Sequence, residues 1–138
     1  MNIFTHVQHI MTRDVATVQL SSKPSEARRL LRSRPFHHLP VLDGSVLVGI
    51  LSASDLAKVS LEAWVADPET VDAWLDETAT ISGLMTREPV VVRTHCTLRE
   101  AAGRLSEGAF HALPVVDEHG HLQGILTTTD VVRYVGAA

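Results

Sequence analysis

Gly49-Ile50-Leu51-Ser52-Ala53-Ser54-Asp55 returns later in the chain as Gly124-Ile125-Leu126-Thr127-Thr128-Thr129-Asp130, an offset of 75 residues. Upstream, Phe36-His37-His38-Leu39-Pro40-Val41 returns as Phe110-His111-Ala112-Leu113-Pro114-Val115, offset by 74. The same offset of 74 carries Ile10-Met11-Thr12-Arg13 onto Leu84-Met85-Thr86-Arg87. One residue inserted in the intervening turn accounts for the difference. Three blocks kept in order at one spacing mark a duplicated supersecondary unit.

Each copy carries the same elements. A valine-rich strand opens it, Val15 to Leu20 and Val90 to Arg93, as β-branched residues favour. A helix follows. In the second copy Thr97-Leu98-Arg99-Glu100 has the form of a capping box, with Leu98, Ala101, Ala102 and Leu105 on one face. The first copy has Lys23 at the cap and relies on Pro24, whose fixed φ suits a first helical turn, ahead of Ala27, Leu30 and Leu31. Two strands come next, Leu39 to Leu42 and Val46 to Leu51, matched by Leu113 to Val116 and Leu122 to Leu126. Their turns are Asp43-Gly44-Ser45 and Asp117-Glu118-His119-Gly120-His121. A second helix is expected at Ser54-Asp55 and Thr129-Asp130, with Ser54 and Thr129 as caps. The fold class is α/β (α+β), two β-α-β-β-α repeats at 7–60 and 81–136 joined by a linker at 61–80. One copy cannot cover both faces of a three-stranded sheet, so the repeats are expected to pack together about a pseudo-twofold axis.

The linker holds the charge asymmetry. Between Lys58 and Arg87 there is no basic residue, yet Glu62, Asp67, Glu69, Asp72, Asp76 and Glu77 all fall there. Asp67-Pro68 is a helix start, Val71, Trp74 and Leu75 share one face, and the acids read as a solvated outer face. The whole chain has 12 basic against 16 acidic side chains, without the basic stripe that duplex binding requires, which argues against nucleic acid. With 45% hydrophobic residues the chain is expected to fold, and no apolar run of about 18 residues would cross a membrane. The opening MNIFTHVQHIMTRD has no export-signal pattern, and Cys96 is the single cysteine. A cytoplasmic protein without an internal disulfide is expected.

The Met-Thr turn, the Leu-Pro-Val strand and the Gly-x-x-[Ser/Thr]-x-x-Asp run, present in order and twice, resemble the CBS domain, the cystathionine-β-synthase-type regulatory repeat that occurs in tandem pairs. The resemblance covers roughly residues 7–60 and 81–136, nearly everything but the linker. It implies an adenosyl ligand, AMP, ADP, ATP or S-adenosylmethionine, bound in clefts between paired repeats, with no cofactor required and no catalysis. Carried over by position, Asp55 and Asp130 would accept ribose hydroxyls, and Ser52 and Thr127 would contact ribose or phosphate. His37, His38 and His111 would lie near phosphate. Thr12, Thr17 and Val18, with Thr86, Val91 and Val92, would line the adenine slot, largely through backbone groups. The resemblance also implies energy sensing, a homodimer through helices bearing Leu56, Val59, Val131, Val132 and Tyr134, and a regulated partner protein.

The residue chemistry is compatible with this reading. A carboxylate only accepts and can take both hydroxyls of a vicinal diol. A hydroxyl at a helix entrance stands among backbone N–H groups that favour phosphate. Copy two has Ala112 where copy one has His38, and neither has an arginine there, so the two sites are not equivalent. The bland alternative for Asp55 and Asp130 is a carboxylate stabilised by the helix dipole. His6, His9, His95, His119 and His121 have no metal-ligand spacing. Cys96 is expected to be an inert thiol. No Gly-x-Ser-x-Gly, Gly-Lys-[Ser/Thr] loop, His-Glu-x-x-His or dinucleotide fingerprint occurs. The expected function is a non-enzymatic, ligand-sensing regulatory module; the alternative is a structural dimerisation module with vestigial clefts.

Overall fold

The computed structural model describes residues 1–33, 37–60, 67–108 and 111–137, and the side chains of all but 58–60 of these. Phe36, Phe110, Glu62 and the side chain of Val59 lie outside them. The chain forms two compact units, Ala16–Pro89 and Met1–Val15 with Val90–Ala138. Neither is made of one repeat alone. Each repeat's leading segment belongs to the unit built on the other repeat.

The Ala16–Pro89 unit contains β1 (Val18–Gln19), α1 (Pro24–Ser33), β2 (His38–Asp43), β3 (Val46–Ser52), α2 (Ala53–Ser60), α3 (Pro68–Thr78), α4 (Ile81–Leu84) and β4 (Thr86–Arg87). Its sheet runs β1-β2-β3-β4, with β1 parallel to β2 and the other pairs antiparallel. Val18, Ala27, Leu39, Val41, Leu51 and Ile81 form its buried core. The other unit contains a short 3-10 turn at Val7–His9, then β5 (Val92–Arg93), α5 (Leu98–Ser106), β6 (Ala112–Val116), β7 (Leu122–Thr127) and α6 (Thr128–Gly136). Its sheet runs β5-β6-β7, and Val7, Met11, Val92, Ala101, Leu105, Leu113, Val115 and Leu126 form its core.

The opening strands are shorter than the valine pattern suggests. β1 and β5 have two residues each, because the chain just before them belongs to the other unit. The sequence also conceals β4, which pairs Thr86 with Ile50 and Arg87 with Gly49. Its counterpart is a bridge between Thr12 and Ile125. A β-carbon on Gly124 would lie 2.6 Å from the Thr12 carbonyl oxygen, and one on Gly49 would lie 2.9 Å from that of Thr86. The glycines are therefore the seats on which the Met-Thr segments dock.

The linker acids are a partial correction. α3 begins where Asp67-Pro68 places it, with Asp67 accepting from the Thr70 N–H. It buries Val71 and Leu75. Asp72 and Asp76, however, turn toward α1 rather than solvent. Asp72 accepts from Arg28 at 2.9 Å, and Asp76 accepts from both the N–H (2.9 Å) and the hydroxyl (2.7 Å) of Ser25. α1 lacks a cap of its own at Lys23, and the linker carboxylate satisfies one of its orphan donors. In α5, Thr97 accepts from the Glu100 N–H at 3.2 Å, but Glu100 faces Cys96 instead of returning to the cap, so half of the expected box forms.

The seating of the Met-Thr segments is testable. Gly124→Ala should destabilise the protein by about 1–3 kcal/mol, as overpacking against backbone does. Gly103→Ala, in α5 with open space at its β-carbon position, should stabilise it by about 0.4–1 kcal/mol. Urea unfolding of both variants checks this; equal midpoints would contradict it.

Candidate functional site

Both Ser/Thr-x-x-Asp runs form the corner where a core strand passes into a helix. At the first, Ser52 Oγ accepts the Asp55 N–H at 3.1 Å, and Asp55 Oδ2 accepts the Ser52 N–H at 2.9 Å. At the second, Thr127 and Asp130 repeat both bonds at 3.1 and 2.9 Å. These are reciprocal capping boxes. The caps are therefore Ser52 and Thr127, each two residues before the expected Ser54 and Thr129. Only the residue three before the aspartate can exchange both bonds with it. The Thr127 hydroxyl accepts from the helix and keeps its own proton to donate, whereas Ser52 Oγ also lies 2.9 Å from Ser54 Oγ, a pair in which either hydroxyl can be the donor.

The histidines gather at the same corners. His38 pairs with Ser52 across the β2–β3 ladder, and the His37 carbonyl accepts the Ala53 N–H at 3.1 Å. Ladder partners lie side by side, so His38 stands next to Ser52, the cap that exchanges hydrogen bonds with Asp55. In the other unit Ala112 takes the place opposite Thr127, and the His111 carbonyl accepts the Thr128 N–H at 3.1 Å. His37 and His111 are exposed.

The adenine-slot residues separate. Thr86 pairs beside Gly49 in the Asp55 unit, while Thr12 pairs beside Gly124 in the Asp130 unit. Thr17 and Val91 are half-buried. Val18 and Val92 are each 4% exposed and belong to the two cores, so their side chains cannot line a slot; only their backbone groups remain for that role.

One contact had no signal in the sequence beyond the repeat itself. The Thr12 hydroxyl donates to Asp130 Oδ1 at 3.0 Å, and Arg133 lies 3.7 Å from the same oxygen. Asp130 is 6% exposed. Asp55 is half-buried, and among the described residues no hydrogen bond or ion pair reaches its Oδ1. Also among the described residues, no three His, Cys, Asp or Glu side chains group to hold a metal, and no helix is long and apolar enough to cross a membrane.

The CBS domain profile matches residues 7–62 and 81–137. The structure of the plant protein CBSX2 from Arabidopsis thaliana in complex with AMP is 34% identical and covers 96% of each chain, with a TM-score of 0.80. The CBS domain pair of protein MJ0100, in complex with 5′-methylthioadenosine and S-adenosyl-L-methionine, is 27% identical, covers 97% of this chain and 98% of that one, and has a TM-score of 0.76. Inosine-5′-monophosphate dehydrogenase from Korarchaeum cryptofilum is 32% identical over 124 residues, 90% of this chain and 23% of that protein. The chain spans a quarter or less of the length of the first curated relatives it matches, at 22–25%.

Cys96 stands apart from the corners. Its thiol is pushed up to about 11 by burial, reinforced by the Glu100 carboxylate 3.5 Å away. The helix start below it does not compensate. Below that value the thiol keeps its proton, so at pH 8 only about one part in a thousand is the reactive thiolate. Alkylation by iodoacetamide should run about 100-fold slower than that of a free thiol at pH 8 and keep rising beyond pH 10. A rate matching glutathione at pH 8 would contradict this.

Proposed function

This chain belongs to the CBS domain family, and on that footing we propose that it is a regulatory module that binds an adenosyl ligand, AMP, ADP, ATP or S-adenosylmethionine, and has no catalysis of its own. The observation that carries the reading is the pair of capped aspartate corners in a chain that an AMP-bound relative matches from end to end. Asp55 and Asp130 accept ribose hydroxyls, a task suited to acceptor-only carboxylates held in place by backbone N–H groups. Thr127 donates its remaining proton to ribose or phosphate, Ser52 contacts them through a hydroxyl it shares with Ser54, and His37, His38 and His111 stand on the phosphate side. Backbone groups around Thr12, Thr17, Val18, Thr86, Val91 and Val92 meet the adenine. Competition between AMP and ATP at these corners would make the module an energy sensor acting on a separate partner protein, in the cytoplasm.

The output surface we assign to self-association through α6. Val132 and Val135 are 64% and 49% exposed, while Phe4, 61% exposed, sits on the amino-terminal stretch that Thr5 fastens to Tyr134 at 3.1 Å. Of the residues expected at such a contact, Leu56 is 5% exposed and Val131 packs on the core. The change is a consequence of helix phase: the side chains that face the sheet are not those that face out. Sedimentation at about tens of micromolar should show a dimer, the range for a standard-sized interface, and Val132→Glu with Val135→Glu should dissociate it. A monomeric parent would contradict the assignment.

A structural scaffold without ligand is the second reading, favoured by the partners that both oxygens of Asp130 find within its own unit. Calorimetry separates the two. Each aspartate-to-alanine change removes charge-assisted hydrogen bonds of about 1.5–3 kcal/mol, which weakens its corner roughly 10–150-fold. The double variant should lose AMP, ATP and S-adenosylmethionine binding alike. A double variant that binds as the parent does would remove the aspartates from ribose recognition, and a parent that binds none of them would leave the scaffold.

A further inference from the structure

We infer that Thr12 fills the Asp130 corner with an internal hydroxyl, so that the chain takes one ribosyl ligand at Asp55 and admits a second at Asp130 only by displacing Thr12. The inference rests on the reading of the corners as ribose acceptors. A threonine hydroxyl donating to a carboxylate is chemically what a ribose hydroxyl does there. Thr12 holds that position at 3.0 Å from Asp130 Oδ1, while Oδ2 is taken by the Thr127 N–H at 2.9 Å.

The hydroxyl is not free to swing away with its backbone. The Thr12 N–H donates to the Ile125 carbonyl and the Ile125 N–H to the Thr12 carbonyl, both at 2.9 Å. The segment sits over Gly124, where even a β-carbon would touch it. A donor tethered in place competes at a high effective concentration with any donor arriving from solution.

The Asp55 corner has the same capping box and the same seated threonine, Thr86, opposite Ile50. There, however, no hydrogen bond of the Thr86 hydroxyl occurs among the described residues, and Asp55 Oδ1 keeps its acceptor capacity. The repeat therefore supplies two carboxylates of one type and different availability. The available one also has an imidazole on the neighbouring strand, His38, where the occupied corner has Ala112. Thr12 is thus a residue that sets stoichiometry.

Titration calorimetry with AMP on the full chain tests this, using the parent, Thr12→Val, Thr12→Ser, Asp55→Ala and the double variant Thr12→Val/Asp130→Ala. The parent should take one AMP per chain in its tight event, and Asp55→Ala should weaken that event by about tenfold or more. Thr12→Val should bring a second event, tightened by about tenfold or more relative to any second event in the parent. Thr12→Ser, which keeps the hydroxyl, should not, and Asp130→Ala in the Thr12→Val background should abolish the gain. Two equal tight events in the parent, or a Thr12→Val isotherm like the parent's, would overturn the role of Thr12 while leaving the ribosyl reading standing. A parent that binds no adenosyl ligand would overturn both.

Discussion

The close approach of a backbone carbonyl to a glycine, made twice, underlies the rest of this structure. Thr12 lies over Gly124 and Thr86 over Gly49, each at a distance that leaves no room for a β-carbon. In both cases the docked segment and its seat come from different repeats. A small three-stranded sheet cannot bury enough apolar surface by itself, and the exchange adds Met11 and Val7 to one core and Ile81 with Leu84 and Met85 to the other. Neither repeat can complete its core without the leading segment of the other.

The same exchange places the threonines beside the capped aspartates. Each corner unites a strand end, a helix start and a docked Met-Thr segment, and so concentrates backbone N–H groups, hydroxyls and one carboxylate. The capping box fixes the carboxylate's orientation within the folded chain, which would lower the ordering cost of the ribose contact proposed there. It also explains why a stabilising role and a binding role do not exclude each other. One oxygen of Asp55 holds the helix start, and the other has no partner among the described residues.

Much of this was legible in the sequence, and the limits have physical causes. The repeat, the hairpins and the Leu-Pro-Val core strands follow from spacing and pattern; Leu39, Val41, Leu113 and Val115 are fully buried as such strands require. Pattern alone does not say which partner completes a sheet, so the crossing of the leading segments was hidden, and with it β4 and the Thr12–Asp130 bond. A carboxylate on a polar helix face reads as solvated until its neighbour is known. Asp76, which caps α1 from a distant helix, had no local signal. Ser52 and Thr127 sit in a motif that implies ligand contact, and the same three-residue spacing to the aspartate makes them caps. The Val18 and Val92 side chains went into the cores because strands this short turn one side chain inward.

If an adenosyl ligand meets this chain at the capped aspartate corners, as proposed, the backbone amides of those corners must respond to it. The most direct measurement is a titration of the ¹⁵N-labelled chain with AMP, followed through backbone amide resonances. The Ser52 and Asp55 amides, whose hydrogen bonds are those of the open corner, should shift first, and those of Thr127 and Asp130 should follow only at higher ligand concentration. Shifts centred on α3 or on the Asp117 turn, with both corners unmoved at saturation, would contradict it.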